Sequence, residues 1–303
     1  MNYKIFINEE INEAVKRVGI ELLDDSISRL KNVNHSFDDS IHETRKNFKK
    51  MRALLRLIRF ALTKQNYRNE NILFRDTGRI LSGIRDAAVM VETLDLIYKH
   101  FPDQINKDDY KSLRKKLSLR ARRIRSQFKN NNNLIEAIIN ILDLHKTKIA
   151  NWQLDKKEFD QIVPGLQSVY EQGFKAMNEA VKSSSSENYH RWRKSVKYLW
   201  YHVRILADAW HEYMQPLSEK LSTLSDLLGF EHDLVELRSL LIRESAFLTD
   251  KEKQTKLLNL IGQERLRLQT EAKLVAQYIY SESPENFVAR INSYWNQSTS
   301  SVS

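Results

Sequence analysis

Long stretches of this chain contain nothing that stops a helix. Seven glycines and four prolines are spread over 303 residues, and between them apolar side chains return at three- and four-residue intervals. That period marks amphipathic helices, and no stretch alternates as a half-buried strand would. The pattern predicts helices over 8–31, 40–64, 67–99, 108–129, 132–149, 156–182, 185–210, 213–244, 250–281 and 284–296. Punctuation agrees with these spans. Asp38-Asp39-Ser40 with Glu43, and Ser184 with Glu187, have capping-box spacing, while Pro102, Pro164, Pro216 and Pro284 fall near expected helix starts or linkers. The expected fold class is all-α, and 41% hydrophobic residues are enough to fill its cores.

An internal repeat organises these helices. HETRKNFKKMRALLRLIR at 42–59 aligns with HRWRKSVKYLWYHVRILA at 190–207, so that His42, Arg45, Lys46, Lys49 and Arg56 match His190, Arg193, Lys194, Lys197 and Arg204 at a constant offset of 148. A weaker match sets SGIRDAAV at 82–89 beside LLGFEHDLV at 227–235 and pairs Asp86 with Asp233. The chain therefore reads as a duplication: one helical bundle over 1–150 and a second over 151–303, divided near 150–156 where Asn151, Trp152 and Gln153 interrupt the periodicity.

Charge is concentrated in three segments, two of them the repeated helices. Residues 42–59 carry seven cations and one anion, 111–129 nine cations and no anion, and 190–204 five cations and no anion. These segments hold +20 of charge in a chain whose net charge is +10, which leaves the remainder at −10. At 100° per residue, the repeated cations and both histidines share one face of each helix. Phe48, Met51, Leu54, Leu55, Ile58 and Leu62 oppose them in the first copy, and Trp192, Val196, Leu199, Val203 and Leu206 in the second. Like charges stacked at i,i+3 and i,i+4 repel, and Glu43 alone does not neutralise the first ridge. A linear phosphate polymer suits such a surface, because Arg forks and Lys point charges both take phosphate oxygens. The cations of 111–129 spread around more of their wheel. Arg120 and Arg123 join the expected site, and Leu113, Leu117, Ile124 and Phe128 form the apolar stripe.

Other chemistry finds little support. The chain has no cysteine, which excludes disulfides, thiolate nucleophiles and Cys-bound metals. No run of eighteen apolar residues and no export signal is present, so a cytoplasmic protein without membrane contact is expected. Nucleotide, hydrolase and zincin motifs are missing, and His100, His145 and His211 lack metal-ligand spacing. No enzyme, metal or cofactor is expected. Tyr189, Trp192, Trp200, Tyr201 and Trp210 would stack on bases in an RNA- or single-strand-binding protein, the alternative function, but three of them fall on or beside the apolar stripe. A third, phosphohydrolytic reading would make Asp86 and Asp233 catalytic acids. Pairing with nearby arginines is their simpler role.

The repeated H-x-x-R-K-x-x-K helix, with IRDAAVMVETL at 84–94, LLGFEHDLVEL at 227–237 and Tyr170, Gly173 and Ala176 before the second histidine, resembles the CHAD (conserved histidine α-helical domain) family over nearly the whole chain. The resemblance implies two pseudo-symmetric four-helix bundles and a basic groove or pore lined by both histidine helices. It also implies binding of inorganic polyphosphate, often at polyphosphate granules, with sulfate or phosphate as mimics. Some family members carry an adjoining β-stranded triphosphate-tunnel domain. No such region is visible here, so hydrolysis is not implied. The expected binding residues are His42, Arg45, Lys46, Lys49, Arg52, Arg56, Arg120, Arg123, His190, Arg193, Lys194, Lys197 and Arg204. Two departures stand out. Tyr198 and Trp200 occupy the second-copy positions of Lys50 and Arg52, and His232 stands where the first copy has Arg85.

Overall fold

A computed structural model describes residues 3–33, 36–154, 159–244 and 246–300. Among these residues the chain is all-helical, without a strand. In order, the helices are α1 (Ile11–Lys31), α2 (Phe37–Leu57), α3 (Lys64–Ile80), α4 (Ser82–His100), α5 (Lys107–Lys129), α6 (Asn132–Ala150), α7 (Val163–Lys182), α8 (Ser186–Ile205), α9 (His211–Arg243), α10 (Lys251–Ile279) and α11 (Pro284–Ser300). Short 3-10 turns at 159–161 and 207–209 precede α7 and α9.

Several boundaries differ from the sequence expectation. The single helix expected over 67–99 breaks at Leu81, and its second part begins just before Gly83. The break frees the Leu81 carbonyl, which accepts a bond from Arg45 Nη1 at 3.0 Å. Helix α2 starts earlier than expected, with Ser36 at the N-cap and no side-chain cap, so Asp38 and Asp39 lie in the first turn beside the positive end of the helix. The cap of α8 is Ser185 rather than Ser184, its hydroxyl accepting from Asn188 N at 3.2 Å. Pro164 and Pro284 open their helices, whereas Pro216 lies inside α9. There its missing N–H leaves the exposed Glu212 carbonyl to solvent. Part of the interruption expected near 150–156, and the start of the helix expected at 156, fall outside the described residues.

Two apolar cores organise the helices. The larger is built mainly from α1, α2, α3, α6, α7, α8 and α11, with the first half of α9 and the last part of α10. The smaller joins α4 and α5 to the second half of α9 and the first part of α10. Each core draws residues from before and after position 150. The long α9–α10 hairpin spans both cores, and α2 and α8 pack against each other in the larger one.

Close backbone approach fixes this central pair. His202 of α8, fully buried, has Nε2 2.8 Å from the Ala53 carbonyl of α2. Burial holds its imidazole down at about 4, so it stays neutral and donates there. The first turn of α7 sits on the last carbonyls of α2. A Cβ built on Gly165 would lie 1.9 Å from Leu57 O and 2.6 Å from Arg56 O, so only glycine allows the approach.

Candidate functional site

The two central helices bury their apolar stripes and turn their cations outward. Phe48, Met51, Leu54 and Leu55 of α2 and Trp192, Val196, Leu199 and Val203 of α8 are buried. Burying these side chains leaves the repeated basic positions on the opposite faces, as 3.6-residue periodicity requires.

The faces border two cavities. The larger, about 1110 Å³, lies between the two cores, with α2 and α8 on one side and α4, α5 and α9 on the other. His42, Arg45 and Lys49 line it from α2, and His190, Arg193 and Lys197 from α8. These are matched positions of the 148-residue repeat. Arg85 and Asp86 of α4 face it, as do the matched His232 and Asp233 of α9. A smaller cavity of about 750 Å³ opens on the flank of the pair bounded by α3 and α7, lined by Arg52, Arg56, Arg75, Arg79, Lys175, Lys194 and Tyr198. Arg45, Lys49 and His190 border both cavities, so the two adjoin at the centre of the helix pair.

Cations crowd the centre of the larger cavity, and Asp86, Glu92, Glu187, Asp226, Asp233 and Glu236 also line it. Desolvation, then Arg193, Arg45 and Lys197, bring Lys49 down to about 7. Desolvation and Arg193 bring Lys197 to about 8, opposed by Asp226 and Asp233. Among the described residues neither lysine forms an ion pair. Arg193 is held below its usual range by burial, and its Nε has no hydrogen-bond partner. Arg45 is lowered by burial against the pull of Asp86, whose Oδ1 lies 3.5 Å away. Asp233 is pushed up to about 6 by burial and by Asp86, although Arg193 pulls the other way. The two aspartates, far apart in sequence, therefore share one cavity and face arginines.

The histidines differ. His190 stacks obliquely on His232 with ring centroids 4.5 Å apart, and its Nδ1 is buried without a partner. Burial and adjacent cations keep these rings at about 4 and about 3, so both are neutral near pH 7. His42 is more exposed and is lowered by burial and by Arg85. Both repeat histidines sit in the second helical turn, past the free N–H groups of the helix start.

The structure gathers most of the expected residues, though not all. Arg52 and Arg56 both donate to Asn71 Oδ1 at 3.1 Å, and Arg56 stacks 3.8 Å from the Tyr198 ring centroid. Arg120 reaches the larger cavity but is clamped by Glu244 through bonds of 2.5 and 2.6 Å. Lys46 bonds Glu43 at 2.8 Å and borders neither cavity. Arg123 is exposed outside both, and Arg204 packs over Trp200 at 5.0 Å away from both. Arg75, Arg79, Lys175 and Arg243 line the cavities without having been singled out. Their helices carry no repeated cationic motif, so only packing brings them to the site. Of the aromatics expected to stack on bases, Tyr189, Trp192 and Tyr201 are core residues, Trp200 is partly buried and Trp210 is exposed, and none of the five borders either cavity; Tyr198 lines the smaller one. Among the described residues no His, Asp or Glu cluster is arranged for a metal, and no helix is long and apolar enough to cross a membrane.

What this arrangement does chemically is offer crowded, partly dehydrated cations to an anion long enough to touch many of them. No curated protein matches the chain. The CHAD-domain family model, however, matches residues 21–242, and with that match covering well over half its length the chain belongs to the CHAD family.

Proposed function

We propose that this chain binds inorganic polyphosphate in the larger cavity and its extension between α3 and α7, without catalysing a reaction on it. The observation that carries the reading is the convergence of Arg45, Lys49, Arg193 and Lys197 on one cavity, where the carboxylates that also line it leave Lys49 and Lys197 lowered by burial and by neighbouring cations. Phosphate oxygens supply negative charge and hydrogen-bond acceptors at close spacing. On the same reading, the halves before and after residue 150 are related copies whose histidine helices line one site. Matched residues at the same cavity support that relation. A cytoplasmic location, with association to polyphosphate granules, follows from the ligand.

Binding of this kind releases counter-ions, so it weakens steeply with salt and strengthens with chain length until the cavities are filled. The test is a titration of long-chain polyphosphate in competition with RNA at two salt concentrations. The reading requires polyphosphate to win and medium-length chains to bind far better than triphosphate. Preference for RNA would make the site a nucleic-acid surface. Equal affinity for short and long chains would remove the continuous cavity. Orthophosphate release during incubation would overturn the non-catalytic part.

A further inference from the structure

The cationic helix pair has two flanks, and only one is open. On the α3/α7 flank, Lys194 and Tyr198 of α8 line the smaller cavity with Arg52 and Arg56 of α2, Arg56 stacking on the Tyr198 ring. The 148-residue offset puts their counterparts on the other flank. These are Lys46 and Lys50 of α2 facing Trp200 and Arg204 of α8, and none of the four borders either cavity.

The segment that precedes α1 occupies this second flank. Ile5, fully buried, donates its N–H to the Ile205 carbonyl at 2.8 Å, extending along the end of α8. Tyr3 is buried between the two helices. Its hydroxyl donates to the Lys50 carbonyl at 3.3 Å, its ring meets Tyr201 edge-on at 6.1 Å, and the Lys50 ammonium stands 5.5 Å from its centroid. Lys4 pairs with Asp208 at 3.1 Å, and Arg17 bonds the Lys4 carbonyl at 2.8 Å. Beneath this cover Lys50 is only 7% exposed, although Lys46 and Arg204 act on it as like charges. Two anchors, Tyr3 and Ile5, thus hold a cover over the Lys50 ammonium, beside Arg204 and the more exposed Lys46, which pairs with Glu43.

We propose that the segment Tyr3–Phe6 masks one half of a two-sided cationic surface, so that a bound polyanion extends from the larger cavity only toward α3 and α7. The inference rests on the polyphosphate reading of the site. It assigns Tyr3 and Ile5 a specificity role: they set how many phosphates one chain engages and from which side the polymer leaves.

The experiment measures long-chain polyphosphate affinity and its salt slope for three variants of the full chain. Replacing Arg52 and Arg56 by Gln is expected to weaken binding and lower the slope by about 2, roughly one per lost cation. Lys50→Gln with Arg204→Gln is expected to leave both unchanged. Tyr3→Ala with Ile5→Ala is expected to steepen the slope by about 1 to 2, and adding the Lys50 and Arg204 changes removes that gain. Amine-reactive labelling of the wild type provides a check that needs no mutant to fold. Polyphosphate protects Lys49, whereas Lys50 stays unlabelled with or without it. Masking is overturned if Lys50→Gln/Arg204→Gln weakens binding like the Arg52/Arg56 variant, or if Lys50 labels freely and polyphosphate protects it. A wild type that binds no polyphosphate overturns the reading of the site instead.

Discussion

Helices α2 and α8 carry the same basic spacing yet meet the larger cavity in different electrical states. Burial, then Arg193, Arg45 and Lys197 against the pull of Asp86, bring Lys49 of α2 to about 7. Its counterpart Lys197 is steadied by Asp226 and Asp233, lies 5.2 Å over the Trp200 ring, and falls only to about 8. His42 is lowered by burial and by Arg85, Lys46 and Lys49 against Glu43, whereas His190, its ring against His232, is brought to about 4 by burial, Lys194 and Arg193. A shared motif therefore sets where charges stand, and the surrounding helices set how strongly each holds its proton. The difference teaches that the two halves of the site are alike in geometry and unlike in readiness to release charge.

The broadest way to break this likeness is to neutralise both helices at once. Changing Arg45, Lys49, Arg193 and Lys197 to Gln is expected to weaken polyphosphate binding by on the order of 100-fold or more, since each charged hydrogen bond is worth about 1.5–3 kcal/mol. The melting temperature should hold or rise as crowded charge is removed. A loss of only a few-fold at moderate salt would mean that the larger cavity is not the seat of binding.

The helices that precede α2 and α8 sharpen the comparison next. Gly165 of α7 lies against the last carbonyls of α2, while the position matched to it at the 148-residue offset is Arg17 of α1, which pairs with Glu9 at 2.7 Å. Gly165→Ala should cost about 1–3 kcal/mol in urea unfolding because backbone must move, and Arg17→Ala about 1 kcal/mol or less. Equal costs would show that the Gly165 approach is no tighter a constraint than the Arg17 ion pairs.

Acid–base behaviour separates the lysines. Both have an ordinary value of 10.5 when unfolded, so between about 7 and 10.5 the unfolded chain binds more protons than the folded one. Stability of the unliganded chain therefore rises with pH across that window. Polyphosphate affinity moves the other way, falling as the ammonium groups discharge. Lys49→Gln is expected to flatten both profiles more than Lys197→Gln, as read by thermal melts and titrations at stepped pH. Identical effects of the two changes would erase the distinction.

The smallest effect concerns the histidines. Replacing either by Gln should change affinity by about 2- to 3-fold, of the size of one neutral hydrogen bond. The informative readout is the imidazole NMR titration of the free chain, where His190 is expected to protonate at markedly lower pH than His42. Coincident midpoints would contradict the stronger effect of burial, Lys194 and Arg193 on His190.

Much of this was legible without coordinates. The 148-residue offset between His42–Arg56 and His190–Arg204, and the apolar stripes behind each, anticipated two amphipathic helices with outward cations. Arg75 and Arg79 were not legible, because each is an ordinary charged residue on its own helix and joins the site only through packing. Lys46 and Arg204 show the reverse: motif position recommended them, and Glu43 and the Trp200 face took them elsewhere.

Sequence by itself determined helix content, the apolar face of each helix and the basic motif, because all three depend on residues within a few turns of one another. Tertiary structure alone decided that both motifs border one cavity, that α3 breaks from α4 at Leu81, and that Tyr3 and Ile5 cover one flank. Those outcomes depend on contacts between residues more than a hundred positions apart, or on a carbonyl finding a distant arginine, and neither leaves a periodic trace in the chain.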